Sequence, residues 1–360
     1  MHTFKITVLP GDGIGSEVMA PCVDLLNELA TRAGTFSFDM QHYEAGADLY
    51  RRTGIAIPDE AVEACRSADA ILLGAMGIPD VRYPDGTEVQ PHLDLREMLA
   101  LYAGVRPIRI LKGAPTPLAD PRAASVDAVL IRESTEGIFA SRTMTRREEN
   151  AVFDTIRISR DVCERLFRFA FRLAQTRAAR EGRKGRVTCV DKANVIPSLA
   201  FFRQVFLEIA PEFPDVQADC MYVDAAGLRL VRSPWEFDVM VTENMFGDIL
   251  SDVGAALIGG MGMAPSADIG DSHAIFQPCH GTGPDIAGQG KANPTAMLLS
   301  GAMMLEWLGE RFDVPDCITA SVQLVRAIEI AFAAGDLQSY ETGGRDGTAQ
   351  IVERVRAALA

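Results

Sequence analysis

Phe4-Lys5-Ile6-Thr7-Val8-Leu9-Pro10-Gly11-Asp12-Gly13-Ile14-Gly15 reads as a strand, a tight turn and the opening of a helix. The apolar run Phe4–Leu9 suits an extended chain, the glycines permit dihedrals that other residues avoid, and an amphipathic run over Ile14–Ala33 follows. That order starts a βαβ unit and predicts an α/β fold. The turn does not match the dinucleotide fingerprint G-x-G-x-x-G. Gly15 follows Gly13 by two positions instead of three, and Asp12 would set a carboxylate beside a pyrophosphate. The fold predicted is therefore α/β, the turn is a poor Rossmann fingerprint, and a plain strand-to-helix turn is as good a reading of these glycines as a dinucleotide loop.

Outward from this turn the same alternation continues, as expected for a largely parallel sheet. Strands are predicted at Phe36–Tyr43, Ala68–Leu73, Asp127–Ile131, Arg186–Val190, Met221–Asp224 and Phe237–Val241. Helices are predicted at Pro58–Arg66, Pro91–Leu101, Arg160–Glu181, Ser198–Ala210, Phe246–Ile258, Pro294–Leu308, Ala320–Ala333 and Asp346–Leu359. Pro58, Pro91 and Pro294 stand where a first helical turn tolerates proline. Ser141–Asn150, with Arg146-Arg147-Glu148-Glu149 at its centre, reads as an exposed loop.

The chain has 360 residues, of which 48% are hydrophobic, enough for two domains or one large α/β unit with a substantial core. Lys plus Arg number 35 against 49 Asp plus Glu, a net charge of −14. This balance, with no long basic run, excludes a general nucleic-acid or anionic-membrane binder, because phosphate contacts need clustered cations. A small acid remains a possible substrate where basic residues converge locally. The seven cysteines, Cys22, Cys65, Cys163, Cys189, Cys220, Cys279 and Cys317, contain no C-x-x-C pair and read as reduced thiols, not a disulfide or zinc framework. No signal peptide precedes the first strand, and the small-residue stretch Val253–Pro265 is far short of the roughly 20 residues of a membrane span. A cytoplasmic protein is expected.

Asp248 and Asp252 stand four apart in an otherwise apolar helix, so they share a face, where their repulsion calls for a compensating cation. Oxygen ligands without a His/Cys cluster suit Mg²⁺ or Mn²⁺ better than zinc, and a solvated helix face is the alternative. Asp224 is a candidate third ligand. Arg96, Arg106 and Arg132 stand in apolar contexts, and three guanidinium forks on one pocket would suit a substrate with two carboxylates. Taken singly, each is an ordinary ion-pairing residue. Lys192 closes a strand, where partial burial makes a lysine a base, or where it simply pairs with Asp191. The glycine-rich run from Pro278 to Pro294 offers backbone amides to a phosphate, and Asp285 would accept from a ribose 2′-hydroxyl while repelling a 2′-phosphate. A plain surface loop fits it equally well.

Seven blocks in a fixed order carry a resemblance that runs nearly end to end: Leu9-Pro10-Gly11-Asp12-Gly13-Ile14-Gly15, Leu95-Arg96 with Val105-Arg106-Pro107, Ile131-Arg132-Glu133-Ser134-Thr135-Glu136-Gly137, Asp191-Lys192-Ala193-Asn194, Tyr222-Val223-Asp224-Ala225, Phe246-Gly247-Asp248-Ile249-Leu250-Ser251-Asp252 and His280-Gly281-Thr282-Gly283-Pro284-Asp285-Ile286-Ala287-Gly288. With these blocks the chain resembles the β-decarboxylating dehydrogenases of 3-substituted (R)-malates, the isocitrate/isopropylmalate dehydrogenase family. The resemblance implies a two-domain isopropylmalate-dehydrogenase-like fold with a central mixed sheet, not Rossmann, in agreement with the poor fingerprint. Its discontinuous NAD-binding domain would comprise residues 1–104 and 260–360, and residues 105–259 would carry dimerisation, metal and substrate.

Carried over residue by residue, Arg96, Arg106 and Arg132 would clamp the substrate carboxylates and Asp224, Asp248 and Asp252 would hold Mg²⁺ or Mn²⁺. Lys192 would be the base that takes the C2 hydroxyl proton. The resemblance places Lys192 and Asp224 in a partner's site, and so implies a homodimer with shared active sites. The small residues Gly254-Ala255-Ala256 suit close packing at such an interface or within the chain. The cofactor site would use Ile14 with His280, Gly281, Thr282, Gly283, Asp285, Ile286 and Asn293. NADP-dependent members carry Lys and Tyr where this chain has Asp285 and Ile286, so NAD⁺ is the cofactor expected.

Substrate choice would rest on Val89, His92 and Leu93, which precede Arg96. Val89 and Leu93 suit an isopropyl group and His92 a hydroxyl or a further carboxylate. A small dicarboxylate 2-hydroxy acid is expected, 3-isopropylmalate ahead of tartrate or D-malate. Two residues depart from the pattern. Phe139 stands where members carry a tyrosine that protonates the enolate, which raises the alternatives of altered decarboxylation or a catalytically impaired homologue with a binding or regulatory role. Gln277 stands where a glutamate is common. A phosphoryl transferase is disfavoured, since no G-x-x-x-x-G-K-[ST] loop is present.

Overall fold

The structure, a computed structural model, describes residues 1–141 and 144–359. In chain order the elements are β1 (His2–Gly11), α1 (Gly15–Ala33), β2 (Phe36–His42), α2 (Ala47–Thr53), α3 (Asp59–Ser67), β3 (Ala70–Ala75), α4 (Pro91–Met98), β4 (Ala103–Arg109) and β5 (Asp127–Glu133). There follow β6 (Arg146–Glu148), β7 (Ala151–Phe153), α5 (Arg160–Glu181), β8 (Arg186–Asp191), α6 (Pro197–Ile209), β9 (Gln217–Tyr222), α7 (Val223–Arg232), β10 (Val239–Thr242) and α8 (Asn244–Leu257). The chain ends with β11 (Pro265–Ile269), β12 (Ala274–Pro278), α9 (Thr295–Phe312), α10 (Pro315–Ala333) and α11 (Thr348–Leu359).

These elements form two compact units. One comprises Met1–Leu99, Leu111–Pro117 and Ile258–Ala360, the other Ala100–Ile110 and Leu118–Leu257. In the first, the strand order is β2-β1-β3-β12-β11, parallel except for the antiparallel β11–β12 pair. The chain leaves β1 for β2 on one side and β3 on the other, so the turn after β1 stands at a topological switch point, where open α/β sheets bind ligands. In the second unit, the order is β4-β5-β10-β8-β9, parallel except for the antiparallel β4–β5 pair. Each unit is mixed α/β, its strands belonging to one ten-stranded mixed sheet, as the alternation predicts. Because β5, β10, β8 and β9 run parallel, the residues at and just beyond their carboxyl ends, among them Arg132, Asn244, Lys192 and Val223, gather at one end of the sheet.

The core of the second unit is aromatic where α5 and α6 cover the sheet. Phe167, Phe171, Phe202 and Phe206 are fully buried, with Phe167 and Phe202 edge-to-face at 4.7 Å. Each such ring stabilises the fold by roughly 2–3 kcal/mol relative to exposure. Among the described residues, no helix is long and apolar enough to cross a membrane.

Several elements differ from the sequence expectation. The strand expected at Met221–Asp224 is β9, and it ends at Tyr222 because its ladder with β8 stops at the Asp191–Tyr222 pair. Asp224 lies in the first turn of α7, a helix that buries Ala226 and Leu230 at helical spacing. Strands β4, β11 and β12 were hidden by Pro107 and by the glycine-rich surroundings of residues 259–273. The loop expected at Ser141–Asn150 includes residues 142 and 143, which lie outside the described residues. Its second half contributes β6 to an exposed antiparallel hairpin with β7. Gly254 packs within the chain: a Cβ there would meet Ile108 Cδ1 at 2.5 Å.

Candidate active site

The second unit gathers charge at the carboxyl end of its sheet. Arg132 is the penultimate residue of β5 and is buried. Its Nε and Nη2 donate to Asn244 Oδ1 at 3.0 and 2.8 Å, and Asn244 in turn donates to the Glu136 carbonyl at 2.9 Å, which fixes the amide's orientation. Arg132 Nη1 pairs with the Asp248 carboxylate one turn along α8. This approach requires Gly247, since a Cβ there would come within 2.6 Å of Arg132 Cγ. Asp252 lies one turn beyond Asp248. Burial and the Asp248 charge raise its carboxyl pKa, opposed by Arg132 and the buried Arg106.

Two aspartates with this repulsion, one of them partly buried, offer hard oxygen donors that could hold a divalent cation. Among the described residues, Asp224 forms no metal-spaced cluster with Asp248 and Asp252. Asp224 instead accepts from Lys192 Nζ at 3.1 Å, and that contact holds its carboxyl below the usual range. Lys192 is placed by the residue before it. Asp191 is fully buried, accepts the Ala193 amide and takes a two-point bond from Arg203, whose guanidinium stacks over Tyr222 at 4.8 Å. Phe139 lies with its ring 5.7 Å from the Arg132 guanidinium.

In the first unit the glycine turn and the second glycine-rich loop meet. Ile14 N–H donates to the Thr282 carbonyl at 2.8 Å, and a Cβ on Gly13 would meet that carbonyl oxygen at 2.0 Å. Thr282 Oγ1 donates to the Gly77 carbonyl, and Gly283 packs against the Ile14 side chain. Asp12, whose carboxylate argued against a pyrophosphate at this turn, faces inward and accepts the amides of Ala47, Asp48 and Gly77 at 2.8–2.9 Å. It anchors the start of α2 and the chain after β3. His280 Nδ1 donates to the Gly281 carbonyl, which leaves its Nε2 a buried acceptor with no partner among the described residues, and burial lowers the ring's pKa. A neutral, unsatisfied imidazole in the same loop as exposed Asp285 fits a nucleoside better than a bare anion. Asn293 Oδ1 accepts the Thr295 amide at the start of α9.

On α4, His92 and Leu93 are half-buried one turn before Arg96, whereas Val89 is fully buried against Ala47 and Val81. Arg96 Nε donates to the fully buried Asp268 at 2.9 Å, and Gln277 donates to the same carboxylate oxygen at 2.8 Å. Gln277 thus acts on Arg96 through Asp268. Asn244, Asp268 and Arg203 were not singled out from the sequence. Only the polarity of Asn244 at the head of a buried helix was a signal there.

Residues 5–355 match the family described as isocitrate/isopropylmalate dehydrogenase. A 3-isopropylmalate/3-methylmalate dehydrogenase of Methanocaldococcus jannaschii is 39% identical over 356 residues, covering 99% of this chain and 98% of its own. A 3-isopropylmalate dehydrogenase of Moorella thermoacetica is 40% identical, covering 99% of each. Among solved structures, an isocitrate dehydrogenase from Methylococcus capsulatus superposes with a TM-score of 0.84 at 35% identity, covering 100% of this chain and 99% of that one.

Proposed function

The chain belongs to the isocitrate/isopropylmalate dehydrogenase family and is a β-decarboxylating dehydrogenase, and from that premise we propose that it oxidises a 3-substituted (R)-malate with NAD⁺ and Mg²⁺ or Mn²⁺, 3-isopropylmalate foremost. The observation that carries this reading is the α8 constellation, in which Arg132 is braced by Asn244 and Asp248 beside Asp252 and Arg106.

Arg96, Arg106 and Arg132 take the substrate carboxylates, and their guanidinium forks fix its orientation. Asp248 and Asp252, with Asp224 of a second copy, hold the divalent cation, which when bound supplies Lewis acidity toward the hydroxyl and the developing enolate. Lys192, positioned by the Asp191–Arg203 pair, accepts the C2 hydroxyl proton as hydride leaves for NAD⁺. The lone-chain separation of Asp224 from Asp248 and Asp252 supports a homodimer with shared sites. The unit containing β1 and α9 binds NAD⁺ through the Ile14 turn and the loop from His280 to Asn293, with Asp285 and Ile286 excluding a 2′-phosphate. His92 and Leu93 face the substrate's third substituent. Reduced, unbridged thiols support a cytoplasmic setting.

Phe139 supports a second reading. A phenyl ring beside Arg132 holds the position of the enolate's proton donor but has no proton to give, so oxidation outruns decarboxylation or turnover is impaired. Purified enzyme with NAD⁺, Mn²⁺ and 3-isopropylmalate, tartrate or D-malate, followed separately for NADH and CO₂, tests both readings. No NADH with any of these acids overturns the proposal, and NADH ahead of CO₂ favours the second reading.

A further inference from the structure

Cys189 of β8 and Cys220 of β9 are direct partners in a parallel strand pair. Their side chains therefore leave the same face of the sheet, on backbones about 4.8 Å apart, within the roughly 4.4–6.8 Å between Cα atoms that a disulfide spans. The two Sγ atoms and an Asp191 oxygen all lie within 4.8 Å of one another. Cys189 is fully buried and points its S–H at Asp191, 3.8 Å away. Cys220 is half-buried on β9, the last strand of its sheet among the described residues.

The two thiols differ in the way an attacking and a resolving cysteine must. The Cys189 thiol and the Arg203 guanidinium draw the Cys220 thiol below its ordinary range, while burial pushes Cys189 up. A reachable thiol that ionises readily, backed by a protonated one within bonding reach, is the arrangement of redox-sensitive pairs. The same cluster has the spacing of a metal site but lacks its charge balance. Asp191 is already neutralised by Arg203, and three ligands fall one short of a structural zinc site.

We propose that Cys189 and Cys220 are a modification site that closes to a reversible disulfide on exposure to a peroxide. The Cys220 thiolate attacks one peroxide oxygen, breaks the O–O bond and becomes a sulfenic acid as hydroxide leaves and takes up a proton to give water. Cys189 sulfur then displaces the sulfenic oxygen, forming the S–S bond. The departing sulfenic hydroxyl takes the Cys189 proton and leaves as the second water. Two thiols have lost two electrons, and one peroxide has become two waters.

The bridge reports directly to the active site. Cys189 lies three residues before Lys192 and Cys220 four before Asp224. The two Sγ atoms lie within 4.8 Å of each other, and bringing them to the roughly 2.05 Å of an S–S bond on backbones closer than the usual disulfide spacing strains the two strand ends. The strain keeps the bond easily reduced.

The test uses the full-length protein treated with hydrogen peroxide, alkylated and digested with trypsin. The expected product is the peptide 187–192 joined to the peptide 204–229, lighter by two hydrogens and separated by dithiothreitol. Turnover should fall roughly tenfold or more with the bridge and recover on reduction, the scale set by a sub-ångström to ångström shift of catalytic groups. Cys220→Ser should keep basal activity and resist the peroxide, and Cys189→Ser should stop at oxidised, unlinked Cys220. Both cysteines alkylated after treatment, linkage to another cysteine, or a stoichiometric bound metal shielding the pair would each overturn the proposal. The mass of the linked peptides is read without substrate, so its absence is separable from a wrong reading of the reaction.

Discussion

Lys192 Nζ stands 3.1 Å from Asp224 Oδ1, across the ends of two neighbouring parallel strands. The pair joins the proposed base to a proposed metal ligand, and Lys192 holds the Asp224 carboxyl below its usual range. Lys192→Ala is expected to lower kcat by about 10²–10⁴-fold, the usual worth of a positioned proton acceptor. Lys192→Arg should not restore it, because a guanidinium stays protonated and cannot serve as a base. Steady-state kinetics with circular dichroism as a folding control decide this. An unchanged kcat in Lys192→Ala removes Lys192 from the mechanism.

The ring of Phe139, 5.7 Å from the Arg132 guanidinium, is placed to touch whatever Arg132 binds. Phe139→Tyr adds a hydroxyl there and with it a proton donor. The expected outcome is a higher ratio of CO₂ to NADH, with little change in KM, because the guanidinium–ring contact survives. A ratio equal in both proteins shows that another group protonates the enolate.

Element type was legible where one signal dominated. The strand-turn-helix at Phe4–Gly15 and the 22-residue helix Arg160–Glu181 appear as expected, because long amphipathic periods and flanking glycines agree there. β4 was not legible because Pro107 interrupts it, and α7 because it follows β9 without a turn residue between them. At the site, the sequence singled out Arg132 and the paired aspartates of α8 but not Asn244, whose role depends on a contact 112 residues away. The role of Asp12 was not legible for the same kind of reason: its partners are backbone amides at residues 47, 48 and 77, which carry no side-chain signature.

These three amides make Asp12 a test of its own. Its carboxylate is the acceptor for three amides in the first unit and is only 2% exposed. Asp12→Ala strands these donors, at about 1–3 kcal/mol for each that water does not reach, so a loss of roughly 3 kcal/mol or more is expected in urea unfolding. Asp12→Asn keeps part of the cap and should fall between. A midpoint unchanged in Asp12→Ala would mean that the amides find water.

Gly247 sits in mid-helix with no unusual dihedral, so its absent side chain matters only for space. An added Cβ would come within 2.7 Å of both Arg132 Cγ and Cβ and 3.2 Å of its Cα. Gly247→Ala gains helix propensity but must move the arginine or the helix. The expected result is a net loss of about 1–3 kcal/mol and a substrate KM raised roughly tenfold. If KM is unchanged while stability falls, Arg132 does not bind substrate.

Glu133 gives the fold a pH dependence of predictable sign. Burial pushes its carboxyl up to about 7, against hydrogen bonds from Thr135 and the Glu136 amide that favour the charged form. The unfolded chain releases this proton near 4.5, the ordinary value, while the folded chain keeps it to about 7. Between these two values the folded state binds more protons, so the stabilisation is full below the lower one and is lost as pH rises through the upper one. The loss attributable to this residue is about 3 kcal/mol over that window. Glu243 and Asp252, also raised by burial, act in the same direction, and Asp238, held low by Arg183 and Arg177, acts in the other. The difference between the native protein and Glu133→Gln isolates the residue. Urea midpoints measured from pH 5 to 8 should fall more steeply in the native protein than in the variant. Parallel slopes would place the titration elsewhere.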